Sequence, residues 1–215
     1  FLGNTRRGTP VWINREALDA DFLVVTGTVV LHYFAGYGGG RKAVVPGVAG
    51  RETIAANHAL NLDPVSDRLN PAVRTGVTAG NPVAEDMAEA AAMVPVHLCV
   101  NTVLNRRGDI CGVHTGTMAA AHAAACRQAA SLYQVPLGES ADLVVASAGS
   151  APNFLQSHKA LHNAWQARRP GGLVLLLAPC PEGLGGSGFA RWLDLGDPAA
   201  VIAGLRAQAD INGQT

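Results

Sequence analysis

The sequence has 215 residues, of which 48% are hydrophobic and 15% charged, and its formal net charge is zero. This composition is typical of a globular protein with a buried core and argues against a disordered chain. Positive and negative residues are interspersed without blocks of like charge, which argues against nucleic acid or an anionic membrane as a partner. No apolar run reaches the ~18 residues that span a bilayer, so we expect no membrane anchor.

The cysteines are placed without any C-x-x-C spacing, which argues against a structural zinc site. They are Cys99, Cys111, Cys126 and Cys180. A chain of this size does not need disulfides to fold, so we predict reduced, buried thiols in a cytoplasmic protein.

The hydrophobic pattern predicts that strands and helices alternate along the chain. Strands are predicted at residues 22–26, 96–104, 110–114, 142–147 and 173–178. Helices are predicted at residues 15–20, 51–60, 83–93, 117–133, 154–168, 189–193 and 198–208. The segments 22–26 and 173–178 are continuous apolar runs, which are typical of strands buried on both faces of a parallel sheet.

This alternation predicts an α/β fold made of two Rossmann-like units with mostly parallel sheets. The strand–helix pattern starts again after residues 135–140, so we assign residues 1–136 to a cofactor-binding unit and residues 137–215 to the start of a second unit. In such folds ligands bind at the carboxyl ends of the strands. Glycine-rich loops follow strands in both units, and we therefore expect the active site between them.

A glycine-rich loop in the stretch 26–58 is the first candidate site. Its glycines are Gly38, Gly39 and Gly40. Glycines let backbone N–H groups turn toward an anion without a Cβ in the way, and Arg41 and Lys42 follow directly. Lys42 is a candidate for a phosphate contact or a covalent attachment. The alternatives are a flexible turn for the glycines and a solvated surface position for both cations.

Two histidines and one helix face are further candidates. His32 follows an apolar strand, where a histidine is either structural or a general acid or base. His58 lies in a predicted helix, and one histidine makes a metal site only if a cofactor brings its own donors. Gln156 and Lys159 are three residues apart on one helix and share a face. Lys159 could meet a substrate carboxylate, with a solvated helix face as the alternative.

Residues 26–58 follow the pattern T-G-x-V-x-x-H-x-F-A-G-Y-x-G-G-R-K-x-x-x-P-G-x-A-G-x-E-T-I-x-x-N-H. Further motifs are G-N-P-V-x-E-D-M at 80–87, L-G-N-T-R-R-G-T-P-V at 2–11 and C-P-E-G-L-G-G at 180–186. On these motifs the chain resembles the nickel-dependent lactate racemase family along essentially its whole length.

The resemblance implies a cofactor, the nickel-pincer nucleotide. This is a pyridinium-3,5-bisthiocarboxylic acid mononucleotide that holds nickel through one carbon and two sulfurs. Lys42 corresponds to the lysine to which the family links this cofactor covalently. His58 corresponds to the nickel-binding histidine, whose nitrogen would complete the square-planar geometry that nickel favours. We assign Arg41 and the three loop glycines to cofactor binding as well.

The resemblance also implies a reaction, the racemisation or epimerisation of a 2-hydroxy acid. His32 corresponds to a catalytic histidine that takes the hydroxyl proton, while Gln156 and Lys159 correspond to the substrate-contacting pair. Hydride moves to the cofactor to give a planar 2-keto acid and returns to the opposite face. The partners implied are the small-molecule substrate and the enzymes that synthesise the cofactor.

Several departures from the family limit this assignment. Leu155 stands where lactate racemase has a tyrosine near the substrate, which leaves the identity of the hydroxy acid open. One alternative is a redox or isomerisation enzyme for another hydroxy compound, such as a sugar acid, and another is a non-catalytic nucleotide- or cofactor-binding module. The family's second catalytic histidine has no counterpart in the matched motifs, and the chain does not begin with Met. We therefore expect residues 1–215 to be an internal fragment of a longer enzyme.

Overall fold

The computed structural model describes residues 1–208. The last part of the predicted second unit, residues 209–215, lies outside the described residues. The chain divides into two compact units, Phe1–Gln134 and Val135–Thr215. Among residues 1–208, no helix combines the length and the hydrophobicity that crossing a membrane requires.

The elements confirm a mixed α/β architecture. The strands of the first unit are β1 (Gly3–Asn4), β2 (Pro10–Val11), β3 (Val24–Thr28), β4 (Leu31–His32), β5 (Gly36–Tyr37), β6 (Leu98–Leu104) and β7 (Ile110–Gly116). Its α-helices are α1 (Arg15–Leu18), α2 (Arg51–Ala59), α3 (Pro82–Ala92) and α4 (Met118–Tyr133). The second unit contains β8 (Ala141–Ser147), α5 (Phe154–Ala167), β9 (Arg168–Leu177), α6 (Ser187–Leu193) and α7 (Pro198–Ala207).

Local capping explains where the longer helices begin. The side chain of Asn81 accepts a hydrogen bond from the amide of Ala84 at the start of α3, and Pro82 occupies the first turn, where its missing N–H costs nothing. Thr117 caps α4 in the same way. Asn81 also donates to the carbonyl of Phe34, 2.8 Å away, so the cap ties α3 to the segment that carries the candidate site.

The central strand of the first unit is β6, which pairs in parallel with β3 and antiparallel with β7. Helix α4 packs against β6 and β7. The prediction that residues 22–26 are buried on both faces is wrong, because Phe22 is 64% exposed and Val24 42% exposed. The strand lies at the edge of this sheet, and only the face with the buried Val25 is covered.

In the second unit, β8 pairs in parallel with β9 and α5 packs against both strands. The prediction of a strand buried on both faces is wrong here as well, because the outward side chains of β9 are more than half exposed. They are Leu173, Leu175 and Leu177. Parallel pairs therefore occur in both units, but the other described pairings, β1–β2, β4–β5 and β6–β7, are antiparallel. Among the described sheets, β3–β6–β7 is mixed, β8–β9 is parallel, and the two small two-stranded sheets are antiparallel.

A hydrophobic core anchors the glycine-rich loop at both of its ends. Phe34 before the loop and Val44 and Val45 after it are all buried, and they belong to one cluster with Met87 of α3. Burying a side chain of this size contributes about 1.5–3 kcal/mol, so both ends of the loop are firmly held. The residues between them are thus presented from a fixed frame.

Candidate active site

A hairpin and a short turn bring His32 and Lys42 together. Strands β4 and β5 pair antiparallel, with His32 opposite Gly36. The chain then enters a 3-10 turn at Gly40–Ala43, which returns Lys42 toward the hairpin. The Nζ of Lys42 lies 3.0 Å from the Nε2 of His32.

The second ring nitrogen of His32, Nδ1, indicates which atom donates the hydrogen in the contact between His32 and Lys42. The Nδ1 of His32 accepts a hydrogen bond from the backbone N–H of Ala35, 3.3 Å away. A backbone N–H can only donate, so the neutral imidazole carries its hydrogen on Nε2. In that tautomer the contact uses the uncharged amine of Lys42 as the acceptor, whereas in the other tautomer Nε2 accepts from the lysine. The uncharged amine is the nucleophilic form of a lysine.

His58 provides an imidazole nitrogen whose hydrogen-bonding capacity is unused. Its Nε2 is buried and has no hydrogen-bond partner among the described residues. Burial and, to a smaller extent, the protonated form of Lys42 lower the pKa of His58 from 6.5 to about 4. The ring is therefore neutral at pH 7 and keeps a lone pair. Buried polar atoms without partners are rare, and a neutral imidazole is a common metal donor.

Phe34 is the centre around which these side chains meet. Its ring centroid lies 4.7 Å from that of His32 and 4.7 Å from that of His58, both in edge-to-face geometry. The Nζ of Lys42 lies 5.2 Å from the same centroid. The structure thus brings three of the predicted site residues to one buried aromatic ring. Sequence reasoning did not single out Phe34, although it lies in the matched pattern.

The loop glycines are explained by packing. The amide of Gly40 donates to Asn101 Oδ1 at 2.9 Å, that of Gly38 to the Val30 carbonyl at 2.8 Å, and that of Lys42 to the Gly39 carbonyl at 3.1 Å. These three donors are engaged within the protein, so the interpretation of the loop as an anion cradle gains no free N–H from them. A Cβ on Gly39 would lie 2.9 Å from Asn101 Oδ1, which explains the glycine.

Arg41 departs from its expected surface position. Its side chain is buried, with 6% exposure. The guanidinium donates to the Ala35 carbonyl at 2.8 Å and approaches His122 Nδ1 at 3.0 Å. The alternative that Arg41 occupies a solvated surface position is therefore wrong. Its buried guanidinium instead stabilises the loop through these two contacts.

Two residues that contact the loop from outside the motif had no signal in the sequence. Asn101 lies in β6 and is fully buried, and His122 lies in α4 with 7% exposure. Both contact the loop from more than sixty positions away along the chain, since Gly40 and Asn101 are 61 residues apart and Arg41 and His122 are 81 apart. Local patterns do not report such contacts.

Gln156 and Lys159 lie in the second unit, on α5, and both are exposed. The Nζ of Lys159 donates to Gln156 Oε1 at 2.7 Å, so the two side chains do share a face. The amides of Phe154 and Leu155 at the start of α5 donate to the carbonyls of the 180–186 loop. The backbone donors of this helix end are thus taken, and an anion near it would meet side-chain donors.

Within residues 1–208, no group of three or more His, Cys, Asp or Glu side chains is placed to hold a metal ion. All four cysteines are free, but the prediction of buried thiols is wrong for Cys111, which is exposed on β7. A metal next to His58 would therefore need donors that come with a cofactor.

Comparison with known proteins shows that the chain is similar to lactate racemases. The model of the lactate racemase N-terminal domain matches residues 1–68. The lactate racemases of Thermoanaerobacterium thermosaccharolyticum and Lactiplantibacillus plantarum are each 34% identical to the chain over 206 residues, which cover 94% of this chain and 47% of each relative.

Solved structures agree with this relationship. The lactate racemase apoprotein from Thermoanaerobacterium thermosaccharolyticum superposes with a TM-score of 0.89 and 32% identity, covering 99% of this chain and 51% of that one. A protein from Thermotoga maritima shares the fold, with a TM-score of 0.68, 17% identity and coverage of 96% of this chain and 53% of its own. The chain spans about half the length of the curated relatives that it matches. The chain is similar to lactate racemases over most of its own length, and its residues 1–68 match the model of their N-terminal domain.

Proposed function

We propose that this chain is part of a racemase or epimerase of a 2-hydroxy acid that works with a nickel-pincer nucleotide. The observation that carries the proposal is the group around Phe34. A lysine amine lies 3.0 Å from a histidine, and a second histidine with an unused buried nitrogen packs on the same ring. The family relationship supports the racemase class.

The residues of the first unit fit such a cofactor. The unpartnered Nε2 of His58 offers one neutral donor, which is what a metal needs when its other three ligands come from the cofactor. Lys42 offers the amine for a covalent link. When bound, this cofactor supplies reversible acceptance of hydride and Lewis-acid nickel. The protein would supply binding, orientation and proton transfer.

His32 is the candidate for moving the hydroxyl proton of the substrate. To accept a proton at Nε2, the ring needs its own hydrogen on Nδ1, so the bond from the Ala35 amide must open. That bond is long, at 3.3 Å, and is thus weak enough to be exchanged. Once the Lys42 amine is linked covalently, it no longer accepts well from His32. Loading would therefore favour the form of His32 that acts as a base.

Lys159 and Gln156 are the candidates for binding the substrate carboxylate. Lys159 uses one of its three N–H groups on the amide oxygen of Gln156, so its other two N–H groups and the amide NH2 of Gln156 remain as donors. Donors without acceptors select an anion. We place the enzyme in the cytoplasm, with the cofactor-synthesising enzymes as its transient partners.

The sequence permits an unusually clear test of the covalent link. The chain contains two lysines, Lys42 and Lys159, so these are the two side-chain amines that could carry the adduct. The 215-residue chain is to be produced together with the cofactor-synthesising enzymes and mapped with trypsin. We expect the nucleotide adduct on Lys42. Lys42→Ala should lose it and Lys159→Ala, the matched control, should keep it, whereas an adduct on Lys159 would overturn the assignment.

A further inference from the structure

We propose that Arg41 and His122 are positioning residues that hold the His32–Lys42 pair in place through the peptide of Ala35 and the carbonyl of Gly38. This inference rests on the proposed function for its catalytic meaning. Its structural content is independent of the cofactor.

Arg41 is a buried cation without an acidic partner among the described residues. No described ion pair includes it, and its Nε has no hydrogen-bond partner. Its contacts are the carbonyl of Ala35 and the ring of His122. Burying a charge in this way is costly, and a hydrophobic side chain of similar volume would pack at lower cost. Hydrophobic packing therefore does not account for a guanidinium at this position, which indicates a role in hydrogen bonding.

This role concerns Ala35, whose backbone N–H and carbonyl are both hydrogen-bonded to residues of the candidate site. Its N–H donates to the Nδ1 of His32, and its carbonyl accepts from the guanidinium of Arg41 at 2.8 Å. Arg41 thus fixes the residue that orients the imidazole of His32 in the unloaded chain. Lys42 follows Arg41 directly, so one side chain couples the position of the amine to the orientation of His32.

His122 holds Arg41 from the other side. Its Nε2 lies 3.0 Å from the carbonyl of Gly38, which can only accept, so Nε2 carries the hydrogen. Its Nδ1 then accepts from Arg41 at 3.0 Å. Burial and the charge of Arg41 lower the pKa of His122 to about 4, so the ring is neutral and this arrangement is the one that satisfies both partners. Cys126 packs against the same ring.

A neutral ring with one donor and one acceptor can be imitated by an amide. We therefore compare His122→Leu, which removes both functions, with His122→Gln, which offers an N–H for Gly38 and an oxygen for Arg41. The matched control is His114→Leu, since His114 lies on β7 beside the same helix and its Nε2 bonds to Gln128 instead. Thermal unfolding checks that each variant is folded.

The first readout is the nitrogen NMR spectrum of the His32 ring in the unloaded 215-residue chain. We expect the wild type to show hydrogen on Nε2 and His122→Leu to show a mixture of both forms. His122→Gln and His114→Leu should resemble the wild type. The second readout is the initial rate of adduct formation on Lys42 with the nickel-pincer nucleotide, which should fall about ten- to a hundred-fold in His122→Leu, as expected for an amine displaced by about 1 Å.

Wild-type ring signals of His32 in a folded His122→Leu chain would overturn the inference. If that variant does not fold, Arg41→Lys replaces it, because a lysine keeps the charge but cannot reach both Ala35 and His122. A wild-type chain that forms no adduct at all would refute the proposed function, and the NMR comparison would still decide the positioning role.

Discussion

Asn57 donates a hydrogen bond to the buried carboxylate of Asp86, 2.9 Å away, and thereby fastens α2 to α3 at the residue next to His58. The same carboxylate accepts from the hydroxyls of Thr5 and Thr9. Asp86 thus connects the N-terminal segment, α3 and the helix of the candidate metal ligand.

Asp86→Ala should therefore lower the free energy of unfolding by about 3 kcal/mol, because three buried donors lose their acceptor. Urea unfolding measures the effect. The neighbouring Glu85→Ala is the control, since its ion pair with Arg7 is partly exposed and should contribute less than about 1 kcal/mol. Equal losses in the two variants would show that the buried network does not hold α2.

Gly40→Ala tests the packing role of the loop. Its φ is +51°, and an added Cβ would lie 2.6 Å from the ring of His122. Gly80, with a φ of +74° and nothing near the added Cβ, isolates the backbone strain alone. We expect Gly80→Ala to cost about 1–2 kcal/mol of unfolding free energy and Gly40→Ala to cost about 1–3 kcal/mol more through overpacking. Similar costs at both positions would contradict the close approach of α4.

The pKa of His122, lowered from 6.5 to about 4, predicts a pH dependence of stability. The unfolded chain binds the proton more readily than the folded one between these values. Above pH 6.5 the neutral ring of His122 makes its full contribution to the free energy of unfolding. As the pH falls from 6.5 toward 4 the unfolded chain takes up the proton first, and about 3 kcal/mol of stability is lost in total. His122→Gln should lose correspondingly less stability between pH 7 and pH 4 in urea titrations. A variant with the wild-type pH dependence would show that His122 is not the group responsible.

Lys159→Ala tests the second unit. A charge-assisted hydrogen bond to a substrate carboxylate is worth roughly 1.5–3 kcal/mol, so the apparent substrate affinity should fall about ten- to a hundred-fold. Steady-state kinetics of the loaded enzyme measure it. Gln166→Ala, an exposed position further along α5, should leave the affinity unchanged. If Lys159→Ala has unaltered kinetics for every accepted substrate, the helix face is only solvated.

The sequence predicted the parts of this structure that depend on neighbours in the chain. The predicted helices 83–93 and 117–133 lie within one residue of α3 and α4 at each end, and the matched motif places His32 and Lys42 in one short segment of the chain. It could not predict that Arg41 turns inward, because its partner His122 lies 81 residues away on a helix with no motif of its own. The sequence also did not predict that Leu173 is exposed, because a continuous apolar run does not show which face of a sheet is covered by other elements.

The most direct test of the account is the nickel content of the purified, cofactor-loaded chain in three forms: wild type, His58→Ala and His32→Ala. If His58 is the protein's nickel donor and Lys42 the attachment point, His58→Ala should keep the adduct on Lys42 but lose most of its nickel. His32→Ala, the control, should keep both adduct and nickel, because His32 is assigned to proton transfer and not to the metal. A His58→Ala protein with wild-type nickel content would contradict the account, because the unpartnered nitrogen beside Phe34 would then have no part in holding the metal.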